Sequence, residues 1–460
     1  MAPVTTLYDL LYGALAAISG VAAFPSPPNL RILEHAPPGI RYEIPKSTRR
    51  WMSVKNTAPK ISQHTQQLRA IQGPITTSPG SLPNGRSAAA VLGANQRHAG
   101  GSGYQNITTA SAYGTQYAIE ALWDGQPLSM LLDTGCADTW AVQRSFSCVG
   151  KDLEFVKPQT ACAFGGGYYP ETFGYGPHDP KMLMLIKYGD GEVVSGAMGF
   201  SDITIGNVTA KRQLVGLAST THWFGNNQTS GVVGLAFPAL THGYSNETGG
   251  RVQYSPVFTT MVSQGGIEPV FSIAIDRNTS TGVLALGGIP LVEGMDYGEV
   301  ASLDMIITRV NSIPETASEY SFYTVIPDGW YYDQTMNTKK YPYIVDSGTT
   351  LCYLPPTLAE SINSAFHPPA LYNPQYNAYF TSCDAIPPRV AVVLDGIRFW
   401  INPVDLVYRN LADPETGLCM TAIADGGVEG PYILGDVFMQ NALVVFDVGA
   451  GVMKFVSREY

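Results

Sequence analysis

From about residue 115 onward the chain is written in short apolar alternations, punctuated by Gly, Asn and Asp. Tyr117–Leu122, Met130–Leu132, Met182–Lys187, Phe271–Ile275 and Val283–Leu286 read as strands. Val390–Trp400 breaks at Asp395-Gly396, a hairpin signal, because both residue types tolerate the positive φ of a tight turn. Leu443–Val456 turns in a similar way around Gly449–Gly451. A helical period surfaces only briefly, over Pro256–Ser263 and Pro356–Phe366. The pattern predicts a mainly all-β protein, and 460 residues give room for two or more domains with sizeable cores.

Ahead of residue 110 that alternation is missing. Residues 10–23 form an apolar run in which Val21 and Ala23 are placed like a small-residue cleavage site. Asp9 and the lack of Lys or Arg make a poor charged lead-in, but the run at an extreme terminus reads as a secretory signal peptide over residues 1–23. Residues 24–100 are loop-like, with PSPP at 25–28 and a Ser/Gly/Pro stretch at 78–90. They read as a removable pro-segment, in which Ile40–Ile44 can add a strand to the body. Arg49-Arg50 is a candidate processing site, and Arg86 and Arg97 are candidate neighbours of the cut.

Composition sharpens this division. Apolar residues are 45% and charged residues 14%, so most of the chain is expected to fold. The 48 Gly, 33 Pro and 26 Tyr suit turn-rich β structure better than a helical bundle. The formal net charge of -10 argues against a nucleic-acid partner. It conceals an asymmetry: residues 24–98 hold ten Lys or Arg against Glu34 and Glu43, while residues 99–460 hold 17 basic and 34 acidic residues. A basic leader and an acidic body are expected to attract each other; a basic tail with no such role is the plainer alternative, and composition does not choose.

Five sequons, at Asn106, Asn207, Asn227, Asn246 and Asn278, follow the signal-like run and support glycosylation along a secretory route. The expected location is outside the cell or in an acidic vacuolar compartment, with no membrane anchor. Six cysteines contain no C-x-x-C pair, which disfavours a zinc or redox site. Among the 15 pairings that six cysteines allow, Cys148–Cys162 and Cys383–Cys419 are the local bridges. Cys136 and Cys352 are then left joined or, as is preferred for small buried side chains, as two thiols.

An internal repeat carries the chemistry. Residues 131–140 read LLDTGCADTW and residues 344–353 read IVDSGTTLCY. Each places Asp, a small hydroxyl residue and Gly after two apolar residues. Each is followed by an apolar-apolar-Gly segment, at Val232-Val233-Gly234 and Ile433-Leu434-Gly435, 101 and 89 residues beyond the Asp. One Asp-Thr-Gly is an ordinary turn. Two, with matching downstream segments, imply two related lobes, each donating one Asp to a shared interface. Two carboxylates that close hold one proton jointly. The ionised member can act as base on a water and the protonated member as acid, which suits peptide hydrolysis at acidic pH without metal or cofactor.

On these residues the chain resembles the pepsin-like aspartic peptidases, and most of all their fungal secreted members. Trp140, the YGDG segment Tyr188–Gly191, SGVVGLAF at 230–237, ALGG at 285–288 and ILGDVF at 433–438 also match that family, in order, from about residue 115 to 460. The resemblance implies a bilobal fold with a cleft for an extended peptide, the lobes spanning 101–300 and 301–460. It implies Asp133 and Asp346 as the catalytic pair, and Tyr188, Gly189 and Asp190 as a mobile flap over substrate. Trp140 would hydrogen-bond the flap tyrosine. Gly135 and Gly348 would lie where backbone meets carboxylate and substrate, and Thr349 would hydrogen-bond the second Asp. It further implies a monomer, a preference for large apolar residues around the cut, and a basic leader that inhibits the cleft until acidification. Cys136 departs from the family, which has Ser or Thr there; a thiol is the weaker donor, so Asp133 would ionise less readily. Two rival readings are an idle pepsin-fold protein that binds a partner in its cleft, and a carboxylate-pair glycosidase, which leaves the repeated lobes and flap unexplained.

Overall fold

The computed structural model describes residues 30–31, 64–71, 116–150, 155–168, 179–189, 191–276, 281–310, 313–374, 376–413, 415–428 and 430–459. The signal run 1–23, the strand at 40–44, Arg49-Arg50, Arg86, Arg97, Asn106, Asp190 and Asn278 lie outside these residues.

The strands expected at Tyr117–Leu122, Met130–Leu132, Met182–Lys187, Phe271–Ile275 and Val283–Leu286 form, and these five enter one sheet of sixteen strands. Its centre runs from Gln126–Asp133 through Gln116–Trp123, His64–Ile71, Thr281–Leu286 and Val270–Asp276 to Ala442–Asp447, so residues from both halves of the repeat share it. His64–Ile71, within the basic stretch 24–98, is antiparallel to both of its neighbours, Gln116–Trp123 and Thr281–Leu286. Leu30–Arg31 pairs separately with Arg309–Val310. Smaller sheets complete the C-terminal half, among them the hairpin Val390–Leu394 with Ile397–Ile401. Its turn, Asp395-Gly396, has φ of 51° and 76°, the left-handed pair a two-residue turn demands. The two helical readings are realised as Val257–Ser263 and Pro356–Ser364. No helix among the described residues is long and apolar enough to cross a membrane.

The repeat becomes a repeated topology. Gly231–Gly234 lies parallel to Gln126–Asp133 and antiparallel to Trp140–Val149, threaded between the strand that delivers Asp133 and the strand that follows it. Ile433–Leu434 is threaded in the same way between Tyr343–Val345 and Cys352–Leu354. Leu132, Val232, Val345 and Leu434 are buried at these crossings, and each contributes about 1.5–3 kcal/mol. Burial of the flanking residues therefore pins both Asp-bearing turns to the floor of the molecule.

Candidate active site

Each Asp stands at the end of a buried strand, and the next residue locks the two turns together. Thr134 N–H donates to Ser347 Oγ at 3.2 Å, and Ser347 N–H donates to Thr134 Oγ1 at 2.9 Å. The hydroxyls then donate outward across the interface, Thr134 to Val345 O at 3.1 Å and Ser347 to Leu132 O at 2.9 Å. All four bonds are buried. A net 0.5–1.5 kcal/mol each makes this cross-link a main source of lobe registry.

The glycines explain how close the carboxylates come. A Cβ placed on Gly135 would meet Asp346 Oδ2 at 2.6 Å, and one on Gly348 would meet Asp133 Oδ1 at 2.5 Å. Each carboxylate thus rests against the opposite turn's glycine, a separation no other residue permits. The same glycines supply donors: Gly135 N–H to Asp133 Oδ1 at 2.7 Å and Gly348 N–H to Asp346 Oδ1 at 2.8 Å. Thr349 Oγ1 donates to Asp346 Oδ2 at 2.7 Å. Burial, and then the charge of Asp346, push the Asp133 carboxyl well above the usual carboxylate range.

Tyr188 lines the same cavity as Asp133 and begins a turn, where Tyr188 N–H donates to Glu192 O at 2.9 Å and Gly191 N–H to Tyr188 O at 3.1 Å. Gly189 is exposed beside it. Trp140 Nε1–H donates to the Tyr188 hydroxyl at 2.8 Å. Trp223 stacks edge-on against both rings, with centroids 5.5 Å from Tyr188 and 5.2 Å from Trp140. Asp133, Ser347, Gly348, Tyr188 and Glu192 line one cavity of about 70 Å³, whose apolar wall is Tyr117, Leu131, Leu132, Trp223 and Val232. A cavity of that volume has room for water beside the Asp133 carboxyl.

Cys136 does not turn toward Asp133. Its Sγ lies 3.8 Å from Asp138 O and 3.9 Å from the Tyr188 hydroxyl, and burial keeps the thiol protonated by pushing its pKa well up. Cys136 and Cys352 are both buried thiols, and Cys148–Cys162 and Cys383–Cys419 are disulfides. Asn207 and Asn227 are exposed in left-handed turns, and Asn246 is half-buried.

Several site groups escaped the sequence reading. Asp138, fully buried, accepts from His242 N–H and Nδ1–H at 2.8 Å each and from the Tyr254 hydroxyl at 2.5 Å. Asp436 is fully buried, and neither carboxylate oxygen has a hydrogen-bond partner. Burial, then Asp346 and Asp133, push its pKa well up, so it stays neutral in acid. The available signal was a charged residue inside an otherwise apolar motif, at LLDTGCADTW and ILGDVF. Trp223 gave no such signal.

A sequence model described as eukaryotic aspartyl protease matches residues 118–457. The chain is 34% identical over 370 residues to a probable aspartic-type endopeptidase of Aspergillus fumigatus, covering 77% of this chain and 81% of that one. It is 24% identical over 347 residues to an acid protease of Saccharomycopsis fibuligera, covering 74% and 80%. The crystal structure of an aspartic proteinase from Irpex lacteus shares the fold, with a TM-score of 0.55 and 17% identity over 75% of this chain and 95% of that one.

Proposed function

Because the chain belongs to the eukaryotic aspartyl protease family and is an aspartic-type endopeptidase, we propose that it is secreted as a zymogen and cuts peptides in acid with Asp133 and Asp346. The observation that carries this reading is the mutual packing of each carboxylate on the other turn's glycine, beneath Tyr188. Two carboxyls at that distance share a proton. One accepts a proton from water as the water oxygen attacks the peptide carbonyl carbon; the other gives its proton to the carbonyl oxygen. Collapse of the resulting diol passes a proton to the amide nitrogen, breaks the C–N bond and restores the one-proton pair. Tyr188, held by Trp140, closes over the substrate and excludes bulk water. The raised Asp133 carboxyl helps the pair keep its shared proton as pH climbs, and loss of that proton would set the alkaline limit of activity. The aromatic and aliphatic wall of the cavity supports a taste for large apolar residues at the cut.

The leader's charge and its strand His64–Ile71 in the shared sheet support an intramolecular inhibitory role for residues 24 to about 100. Exposed Asn207 and Asn227 support passage through the secretory pathway. The decisive experiment is a pepstatin-sensitive peptide cleavage assay across acidic pH. Cleavage that pepstatin stops supports the peptidase; a processed protein without it defeats the reading. Equal acid activity before and after removal of the leader would defeat the zymogen role alone.

A further inference from the structure

We propose that His242 and Asp138 are a positioning pair: through their bond, the turn that carries Asp133 sets where the strand leading into Tyr188 lies. This rests on the peptidase reading above and adds two residues to it.

Tyr188 is tied to the first Asp-bearing turn from two sides. At its hydroxyl, Trp140 Nε1–H donates at 2.8 Å, and Cys136 Sγ lies 3.9 Å away. At its backbone the tie runs through the strand Asp179–Lys187, which leads directly into Tyr188. That strand is antiparallel to Gly243–Ser245, with Met184 opposite Gly243, Leu183 opposite Tyr244 and Met182 opposite Ser245. Just before this ladder, His242 O accepts Leu185 N–H at 3.4 Å. Asp138 in turn holds His242: the His242 N–H donates to Oδ1 and its Nδ1–H to Oδ2, each at 2.8 Å. The Tyr254 hydroxyl donates to the same Oδ1. Asp138 stands five residues after Asp133 and two before Trp140, and its own carbonyl accepts Gly234 N–H at 3.1 Å. The strand before Tyr188 and the hydroxyl at its tip are therefore both referred to the turn that places Asp133.

Stability alone does not call for a carboxylate at this point. The Asp138 side chain is fully buried, while the His242 ring is 27% exposed. A buried charge is a poorer source of stability than a packed apolar residue. The second turn fills the matching position with buried Leu351. What the carboxylate adds is direction. It grips His242 at main chain and ring together, and charge-assisted bonds of this kind are short and oriented. The segment that Asp179–Lys187 pairs with is thereby fixed in register. A reacting geometry that suffers from displacements of about 1 Å gains from such a tie.

The test is steady-state peptide cleavage by the active protein, well below each variant's melting temperature, so that loss of fold and loss of position are read apart. His242→Leu removes the ring donor and is expected to lower kcat/KM about tenfold, mostly in kcat. His242→Asn, whose amide nitrogen falls near the place of Nδ1, is expected to restore it to within about twofold. His242→Gln carries its amide one bond farther and should match His242→Leu; it decides in that variant's place if His242→Leu fails to fold. A second readout is the combination with Trp140→Phe. Both residues hold the same tyrosine, so the double variant is expected to lose far less than the product of the two single losses. Variants that melt earlier but keep the parent kcat and KM would make His242 merely structural and overturn the proposal. Single losses that multiply in full overturn it too. A parent without pepstatin-sensitive cleavage overturns the peptidase reading instead, so the two failures are distinct.

Discussion

Behind Asp346 the molecule places a donating hydroxyl, Thr349, and a buried acid, Asp436; behind Asp133 it places a thiol, Cys136, and an apolar side chain, Leu235, where the matching segment continues after Gly234. The contrast extends along both turns. Five residues after the Asp, the first turn has buried Asp138 with His242 and Tyr254 around it, and the second has Leu351. Seven residues after, the first turn has Trp140, which donates to the Tyr188 hydroxyl, and the second has Tyr353. What the two turns share is backbone: glycine donors, the hydroxyl cross-link and a threaded strand. The shared frame brings two identical groups together, and the unshared side chains make them unequal. Acid–base catalysis by like carboxyls needs both.

Making either half incomplete tests this most severely. Asp133→Asn or Asp346→Asn is expected to lower kcat by about 10³-fold or more while the fold survives, because general acid and base are both needed. Activity assay beside a thermal melt checks it, and unchanged turnover would point to a different site. Giving the first turn the second turn's residue, Asp138→Leu, takes the acceptor away from the half-buried donors of His242 and Tyr254. A loss of about 3 kcal/mol in denaturant unfolding is expected.

The converse exchange, Asp436→Leu, is expected to stabilise. The folded pKa of Asp436 lies above the unfolded value of about 3.9, so its protonated form is favoured on folding in acid. As pH rises above the unfolded value, folding must take up a proton and stability falls. The gain from Leu should therefore be small near pH 4 and grow to about 5 °C in melting temperature towards pH 7. A gain independent of pH would mean that Asp436 is not kept neutral. Smallest is Trp140→Phe, which keeps the aromatic contact and deletes the bond to Tyr188. A fall of about tenfold in kcat/KM, mostly in kcat, is expected from a less ordered flap.

The hairpin at Asp395-Gly396 and the strand carrying Asp133 were legible because turn chemistry and period-two burial act over a few residues. Cys148–Cys162, 14 residues apart, belongs to the same short range. The candidate pair itself was legible only because the motif occurs twice. The Asp138 cluster was not, since His242 and Tyr254 are 104 and 116 residues away, and no periodicity records such a meeting.

By itself, then, the order of residues determined two strand-ending Asp turns, their glycines, the pairing of Tyr188 with Trp140 and a basic stretch ahead of an acidic one. Tertiary structure decided the rest: that each carboxylate lies on the other turn's glycine, that the Cys136 thiol points to the flap rather than to Asp133, and that Asp436 is sealed in without a partner. The reason is that a turn's backbone is set by its own few residues. The direction of a side chain and the charge it can carry are set by whatever distant segments pack around it.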